Sequence, residues 1–590
     1  MVDSHRDAAP AGAEAAGSAF ERVVERATRT VTALDPVRAS WLGLRGRHDH
    51  LLADCSPEGI ENARSVLAEL LSAFEAIDPR RLSPGQRIDR ELARGTLSTL
   101  ASVAAQRPVW RTMPQAAIAE VLYGVSVHLV RGCGTVEQRG AALLGRLRGV
   151  PAFLAQAQRS LREPPPVFSE VAILAADRTR RSLALALNDF VATLPASSLV
   201  RSLERTGSEA MEALAGYEDF LRSDLMSRST GDFRLGASLF NSILREEHHT
   251  PMEGEELVML GERIYHQTLR EVRALAGRIR PGSNWSRLLV ELQDEHPAPE
   301  QLVETYRTAV DAARRFLVER NLATVPEGEE LVYIQTPLFA RGRFPHAGYL
   351  PCGTSDRAVR GILLVTSPEA ADAPARRHSL LCGHSVYAIP VRALRETYPG
   401  RHLQFVQAVR CGHPLRQLFP SLLFTQGWTL YCEEMMRQEG FLTDDRVRFL
   451  QLRERLLCAC RIVVDVGLHT GRMTVNEAVA FLVRKAKLER ADAVKEVYRC
   501  CEQPTVMMSC LVGKLLLEEV REDERDRLGS AFELGAFHDA VLGQGALPPD
   551  LLRSALGVPR RRSDREMFHS LARTTRRPRP SAQDPRQGRR

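Results

Sequence analysis

The sequence predicts a large, mainly α-helical protein that carries a small β element near its candidate site. Two observations support this fold class. Apolar residues recur at intervals of three and four over most of the chain, which is the pattern of amphipathic helices. The exception is the Gly- and Pro-rich stretch at 331–368, whose short apolar runs at 331–334 and 361–365 are typical of strands in a hairpin or a small sheet.

The helical pattern is divided into segments by proline and glycine. Before the β element, the predicted helices cover 20–34, 60–77, 84–105, 136–161, 174–194 and 299–319. Helices resume near Tyr387 and continue to Leu556. We therefore predict a disordered N-terminus at 1–19, an N-terminal helical region at 20–330, a C-terminal region at 331–556 with the β element and the candidate site, and a disordered tail at 557–590.

Composition favours a globular protein of a reducing compartment. The chain has 590 residues, of which 44% are hydrophobic, so it can bury a large core. Its first residues lack the apolar segment of a signal peptide, and no run of apolar residues approaches the length of a membrane span. Eleven cysteines at irregular spacings do not resemble a disulfide framework. We expect a cytoplasmic protein that does not enter the membrane.

Positive charge is concentrated in the C-terminal tail. Residues 557–590 contain eleven Arg and three acidic residues, a net charge of +8, whereas the whole chain has a formal charge of +7. The Pro, Arg, Ser and Gln content of this tail cannot form a packed core, so we predict a solvated extension. The alternative is a segment that binds an acidic partner or nucleic acid.

The most informative segment of the chain is Arg395-Glu396-Thr397-Tyr398-Pro399-Gly400-Arg401-His402, followed by Leu403-Gln404. It resembles the signature His-Glu-x-Tyr-Pro-Gly-His-His-Leu-Gln of the bacterial domain-of-unknown-function family 885 (DUF885), whose members are regarded as candidate zinc peptidases. Two of the three histidines in that signature are replaced by arginine in this chain, at Arg395 and Arg401.

The resemblance implies Glu396 as the catalytic base and His402 and Glu433 as metal ligands. If the ligand is instead the histidine that Arg401 replaces, His402 lies beside the ligands and does not bind the metal. A catalytic zinc needs three protein ligands and an open position for water. Arg395 stays protonated and cannot be a ligand, and a unit charge about 4 Å from a dication costs about 8 kcal/mol at an effective dielectric constant of about 20. We therefore expect no zinc cofactor, unless a substitute ligand such as His384 or a cysteine completes the site.

Other segments resemble the same family in the same order along the chain. They lie at 146–154, 234–236, 347–351, 427–433 and 461–469. The resemblance extends from about residue 20 to 556, and it implies a large metallopeptidase-like helical fold with a central cleft. By family position, Tyr349, Tyr431 and Arg499 would contact a substrate.

Arg461, Asp465 and His469 are spaced by four residues and form one polar stripe on a predicted helix. If this stripe lines a cleft, Arg461 and Asp465 would bind substrate. The family pattern implies that His469 donates a hydrogen bond to a substrate or transition-state oxygen. A buried pair of Arg461 with Asp465 that fixes helix packing explains the same spacing equally well.

The last motif departs from the family pattern, because Cys500 and Cys510 stand where the family has tyrosines. The phenol groups that would orient a substrate are therefore absent. Cys432, Cys500 and Cys510 are interpreted as buried apolar residues, with a thiolate metal site or a cysteine nucleophile as the alternatives.

We expect a protein that has lost zinc peptidase chemistry. It would bind a peptide-like or amino-acid-derived ligand in the retained cleft, or perform an altered, metal-independent reaction there. A first alternative is an active metal-dependent hydrolase with a substitute ligand. A second is an interaction protein that acts through its basic tail.

Overall fold

The structure is a computed structural model that describes residues 11–43, 48–130, 134–351, 359–369 and 372–560. Its helices up to the sheet are α1 (Ala11–Leu34), α2 (Pro36–Leu42), α3 (Pro57–Glu75), α4 (Pro84–Gln106), α5 (Val109–Thr112), α6 (Pro114–Val130), α7 (Val136–Ser160), α8 (Pro166–Ala192), α9 (Ser198–Phe220), α10 (Gly236–Glu246), α11 (Gly254–Ile279), α12 (Trp285–Asp294) and α13 (Leu302–Glu319). The predicted, mainly α-helical character of the chain is confirmed.

The C-terminal part is also helical after the sheet. It contains α14 (Pro374–Cys382), α15 (Ile389–Glu396), α16 (Arg401–Arg410), α17 (Pro414–Leu418), α18 (Leu422–Gln438), α19 (Asp445–His469), α20 (Val475–Ala486), α21 (Arg490–Glu502), α22 (Ser509–Leu528), α23 (Leu534–Gly543) and α24 (Pro549–Ala555).

Local side-chain caps explain where many of these helices begin. The Ser56 side chain accepts a hydrogen bond from the backbone N–H of Gly59 at the start of α3. Helices α4 and α7 begin with capping boxes, formed by Ser83 with Gln86 and by Thr135 with residue 138. Such caps satisfy backbone donors that have no partner within the first helical turn.

The structure describes part of each chain end for which we predict disorder. Helix α1 begins at Ala11, inside the stretch at 1–19, because an alanine-rich segment favours helix. At the other end, Arg560 pairs with Asp550. Residues 1–10 and 561–590, which hold most of the predicted tail, lie outside the described residues.

Two large clusters of buried side chains form the interior. The main hydrophobic core combines side chains of α1, α3, α4 and α10–α13 with those of α15–α24. A second core lies among α6–α9. The main core therefore includes residues from both sides of the domain boundary that we predict at 330.

The predicted β element is a three-stranded sheet with the order β1-β3-β2. Its strands are β1 (Glu329–Gln335), β2 (Ala347–Pro351) and β3 (Val359–Val365). Strand β3 pairs parallel with β1 and antiparallel with β2. A Cβ atom at Gly361 would lie 2.4 Å from the Tyr349 ring and 2.5 Å from Nδ1 of His402, so glycine lets the sheet approach the candidate site closely.

Helices α18 and α22 cross at two glycines. A Cβ atom at Gly427 would lie 2.4 Å from the carbonyl carbon of Gly513, and one at Gly513 would lie 1.9 Å from the carbonyl oxygen of Leu423. Only glycine permits such a close approach of two helix backbones. This contact fixes the helix that carries Glu433.

By length and composition, no single described helix qualifies as a membrane span. The segments Pro84–Thr112 and Pro114–Val130 meet this criterion when they are counted together, but the chain bends by 82° between them.

Candidate functional site

The signature segment joins two helices through a tight break. Helix α15 ends at Glu396 and α16 begins at Arg401, so the segment that contains Pro399 and Gly400 interrupts the helix. A Cβ atom at Gly400 would lie 2.0 Å from the Arg395 carbonyl oxygen. Nε1 of Trp428 donates a hydrogen bond of 2.9 Å to the Pro399 carbonyl, which ties the break to α18.

The two arginines that replace family histidines both face carboxylates. Nη1 of Arg395 lies 3.6 Å from Oε1 of Glu433. Nε of Arg401 lies 3.0 Å from Oε2 of Glu396, and its Nη2 donates to Oε1 of Gln426 at 2.9 Å. Both carboxylates that the resemblance assigns to zinc chemistry are therefore ion-paired with a guanidinium.

Glu433 is buried, with 3% of its surface exposed. Burial raises the pKa of this carboxyl to about 7, although the positive charge of Arg395 opposes the increase. Among the described residues its Oε1 has no hydrogen-bond partner. The charge on Glu433 at neutral pH therefore depends on Arg395.

Glu396 is held on two sides. Besides its ion pair with Arg401, its Oε2 accepts a hydrogen bond of 3.2 Å from the backbone N–H of Tyr349 on β2. A carboxylate with these two partners is fixed in position, and proton abstraction by it would compete with the guanidinium. The structure thus places Glu396 at the junction of the sheet with α15 and α16.

His402 is completely buried and both of its ring nitrogens have partners. Nε2 lies 2.6 Å from Oε2 of Glu329, and Nδ1 lies 3.1 Å from the Tyr349 hydroxyl. The Tyr398 hydroxyl donates to the same glutamate oxygen at 2.5 Å. Burial alone would raise the pKa of Glu329, but the hydrogen bonds from His402 and Tyr398 outweigh this effect and lower it.

Glu329 was not predicted from the sequence. It stands at the first position of β1, 66 residues before the signature at Arg395, and no local pattern distinguishes it from other strand-end glutamates. Gln426 and Glu496, which bind Arg401 and Arg461, were also missed. Their roles depend on contacts between distant segments of the chain.

These residues do not fit a catalytic zinc. His402 uses both nitrogens for other hydrogen bonds, and Glu433 faces Arg395. The proposed substitutes are also engaged: His384 contacts the Tyr306 hydroxyl at 3.2 Å and the Thr366 carbonyl at 2.9 Å. Three ligands with lone pairs directed at one point are needed, and these side chains do not provide them.

The cysteines of the candidate site are buried. The Cys432 thiol donates to the Pro399 carbonyl at 3.6 Å, and burial raises the pKa of Cys432 well above its usual value. Burial likewise raises the pKa of Cys500. A buried thiol that keeps its proton is a poor nucleophile and a poor ligand. These properties agree with the interpretation of Cys432 and Cys500 as buried apolar residues.

Within the polar stripe on α19, Arg461 and Asp465 do not pair. Nε of Arg461 lies 2.7 Å from Oε2 of Glu496 on α21. Asp465 instead accepts hydrogen bonds of 3.2 Å from the backbone N–H groups of Thr505 and Met508. Asp465 therefore fixes the turn that precedes α22, and the Arg461–Asp465 pair considered from the spacing is wrong.

His469 also lies in a structural environment. It is completely buried, its Nε2 lies 2.8 Å from the Cys500 carbonyl oxygen, and its ring packs against Phe233 and Phe240. Burial lowers the pKa of His469 to about 4, so the ring is neutral at pH 7 and its Nε2–H donates to the carbonyl. This hydrogen bond joins the end of α19 to α21.

Of the remaining predicted site residues, Tyr431 is buried and its hydroxyl lies 2.7 Å from Nε2 of His538. Arg499 is exposed, and its charge lies close to that of Arg461. Tyr349 contacts both Glu396 and His402, whereas Glu433 pairs with Arg395, the neighbour of Glu396 in the chain. Tyr431 points to another partner.

Solvent reaches the site through its arginines. The side chains of Arg395, Arg401 and Arg461 are 20%, 26% and 14% exposed. A groove of about 710 Å³ lies elsewhere, between α13 and the segments 386–390 and 441–447. The predicted central cleft at the signature stays a prediction.

Comparison with known proteins agrees with the sequence motifs. The family model of "Bacterial protein of unknown function (DUF885)" matches residues 36–556. A "putative lipoprotein of unknown function" from Shewanella oneidensis is 20% identical, with a TM-score of 0.73 over 91% of this chain and 99% of its own. A "putative lipoprotein" from Colwellia psychrerythraea is 16% identical, with a TM-score of 0.77 over 95% of this chain and 99% of its own.

No curated protein matches the chain. The two solved structures share its fold, and at these identities they show the fold alone. The family model covers most of the sequence, including the signature, the sheet and the polar stripe. This chain therefore belongs to the DUF885 family.

Proposed function

We propose that this protein is a metallopeptidase-like member of its family that works without zinc and binds a peptide-like or amino-acid-derived ligand at the site of Arg395 and Arg401. The observation that supports this proposal is the pair of contacts between these arginines and the carboxylates of Glu433 and Glu396, at 3.6 and 3.0 Å.

Charge balance explains why two arginines could replace one metal ion. A zinc ion brings two positive charges, and two guanidinium groups bring the same total. Arginine stays protonated at physiological pH, so these charges do not depend on metal supply. The carboxylates of Glu396 and Glu433 would therefore remain compensated while the open position for a zinc-bound water is absent.

The chemistry of the exposed groups supports a ligand with a carboxylate. Arg395, Arg401 and Arg461 are partly exposed and Arg499 is exposed, whereas the carboxylates beside them are Glu396, Glu433 and Glu496. Glu454 is a fourth acid close to Arg395 and Arg461, so four cations face four acids. The cations are in excess to the extent that Glu433, whose pKa is raised to about 7, is protonated. A guanidinium binds a carboxylate through two parallel hydrogen bonds, so the C-terminus of a peptide or a free amino acid would suit this excess of positive charge.

Restoring the family histidines tests the loss of zinc. In the Arg395→His/Arg401→His double variant, we expect about one more zinc ion per chain than in the parent, measured by plasma mass spectrometry after dialysis. Arg410→His, on the same helix as Arg401, is the matched control and should gain none. The proposal is wrong if the parent chain binds zinc and cleaves peptides, and if Glu433→Gln removes the zinc and Glu396→Gln removes the cleavage.

A second experiment tests the ligand class. Pools of short peptides with a free C-terminus and the same pools with an amidated C-terminus would be compared by affinity selection and calorimetry. We expect at least about tenfold tighter binding of the free acids, equivalent to about 1.4 kcal/mol. Arg401→Gln should remove most of this preference. Equal binding of acids and amides, or no binding of either, would contradict the proposed ligand.

A further inference from the structure

A second group of side chains with metal-binding chemistry lies apart from the signature. Asp294 ends α12, whereas His378 and Cys382 lie on α14. His378 and Cys382 are four residues apart on one helix, so both project from the same face. Among the residues that the structure describes, these three form the one group of His, Cys and acidic ligand atoms close enough to hold a metal ion.

The distances among the three ligand atoms are nearly equal. Sγ of Cys382 lies 3.5 Å from Nε2 of His378 and 3.6 Å from Oδ1 of Asp294. Nε2 of His378 lies 3.5 Å from the same Asp294 oxygen. With Zn–S bonds of about 2.3 Å and Zn–N or Zn–O bonds of about 2.0 Å, tetrahedral angles separate sulfur from nitrogen or oxygen by about 3.5 Å and nitrogen from oxygen by about 3.3 Å. The three atoms therefore have the spacing of one face of a zinc tetrahedron.

The geometry distinguishes a metal site from a cysteine nucleophile. In a Cys-His-Asp triad, the thiol and the carboxylate contact opposite nitrogens of the imidazole. Here Nε2 of His378 faces both Cys382 and Asp294. Three lone-pair donors that converge on a common point are suited to a cation, whereas proton relay between thiol and carboxylate through the ring is not possible in this arrangement.

The surroundings leave room for further ligands. Asp294 and His378 have side chains that are 53% and 63% exposed, so water can reach the fourth position. His296 lies nearby, with its ring centroid 6.5 Å from that of His378. Its Nδ1 contacts the Pro297 carbonyl oxygen at 3.1 Å, so Nε2 is the ring nitrogen left for a fourth bond.

We propose that Asp294, His378 and Cys382 bind Zn²⁺ or a similar divalent transition metal. A thiolate, an imidazole and a carboxylate are the ligands that zinc prefers, and the two anions balance its charge. On binding, Cys382 releases its proton to solvent and the sulfur forms a bond to the metal. The ion would join the end of α12 to α14, and it is independent of the arginine site in the proposed function.

Cobalt titration of the full chain under reducing conditions tests the site. Co²⁺ alone is the probe, because a thiolate ligand gives an intense charge-transfer absorption, and Zn²⁺ added afterwards should displace it. We expect saturation at about one ion per chain. Cys382→Ser should abolish the absorption, and His378→Gln should weaken binding at least about tenfold, a change of about 1.4 kcal/mol. Cys411→Ser and His413→Gln, which alter a partly exposed thiol and a 40% exposed histidine outside the group, are matched controls.

Heat denaturation gives a second readout that does not depend on the absorption. Zn²⁺ should raise the melting temperature of the parent and of the control variants, and it should not raise that of Cys382→Ser. The proposal is overturned if the parent shows no thiolate absorption, or if Cys382→Ser retains it. If the cobalt absorption disappears in Glu433→Gln and persists in Cys382→Ser, both this site and the proposed zinc-free signature are wrong. If the absorption disappears in Cys382→Ser alone, the proposed function is unaffected.

Discussion

The guanidinium of Arg395 lies 3.6 Å from the carboxylate of Glu433, in a position where only 3% of the glutamate is exposed. Burial raises the pKa of Glu433 to about 7, and Arg395 is the first of the groups that oppose this increase. Folding must therefore bury a carboxyl that is ionised in the unfolded chain above pH 4.5. The pair makes stability at this site depend on pH.

In Arg395→Met, the free energy of unfolding should continue to fall as pH rises above 7. The folded-state pKa of Glu433 already exceeds its unfolded value, so stability falls as pH rises between the two values. Without the guanidinium the folded pKa rises further, and the difference from the parent should grow by about 1.4 kcal/mol per pH unit above pH 7. Urea unfolding at pH 6, 7 and 8 measures this difference.

The matched control for that series is the double variant Arg395→Met/Glu433→Gln. It has no ionisable carboxyl at position 433, so the excess pH dependence should disappear while any loss of packing remains. A destabilisation by Arg395→Met that is the same at every pH would show that the ion pair does not control the charge of Glu433.

Gly513→Ala should destabilise the protein by about 3 kcal/mol, because the new methyl group would lie 1.9 Å from the Leu423 carbonyl oxygen and must separate α22 from α18. Gly216→Ala is the control. Gly216 lies within α9 with nothing within 4 Å of an added Cβ, and alanine there should stabilise by up to about 1 kcal/mol. Midpoints of urea unfolding compare the two. Equal effects would contradict the close helix crossing.

Much of the fold follows from local patterns in the sequence. The segment predicted as helix at 84–105 is α4 (Pro84–Gln106), because a capping box and an apolar stripe mark it locally. The strand run at 361–365 lies within β3, whose five residues from Gly361 are all buried. The parallel pairing of β3 with β1 could not be predicted, since 23 residues separate the two strands and no turn signal specifies the register.

The candidate site was predicted less completely than the fold. The resemblance pointed to Glu396, His402 and Glu433, and in the structure Tyr349 contacts the first two, whereas Glu433 pairs with Arg395. Their partners could not be inferred, because Glu329 approaches His402 from a strand 73 residues away in sequence. The spacing of Arg461 and Asp465 suggested a pair, but longer-range contacts with α21 and the turn before α22 satisfy each side chain separately.

His469→Gln should reduce the sensitivity of the fold to acid. Burial holds the pKa of His469 at about 4, below the usual 6.5, so the unfolded chain binds a proton that the folded chain does not between these values. The contribution of neutral His469 to the free energy of unfolding is complete above pH 6.5 and falls by about 1.4 kcal/mol per pH unit down to pH 4. The variant should lose that slope, measured by urea unfolding at pH 7.5, 6 and 5. An unchanged slope would mean that His469 titrates normally in the folded protein.

Glu329→Gln should destabilise the contact between β1 and α16 by about 2 kcal/mol at pH 7. The carboxylate accepts from His402 and Tyr398 at 2.6 and 2.5 Å, and an amide replaces one acceptor oxygen with a donor that faces these groups.

The stability that Glu329→Gln removes should become smaller as pH falls. The pKa of Glu329 is lowered below 4.5, so its stabilisation is complete above that value and is lost as pH falls through the folded-state pKa. Glu330→Gln, next to it on β1, alters a half-exposed pair with Arg360 and should cost no more than about 0.5 kcal/mol. Equal costs for the two variants would show that the buried network does not hold His402, and a nitrogen of that ring would then be available to a metal ion.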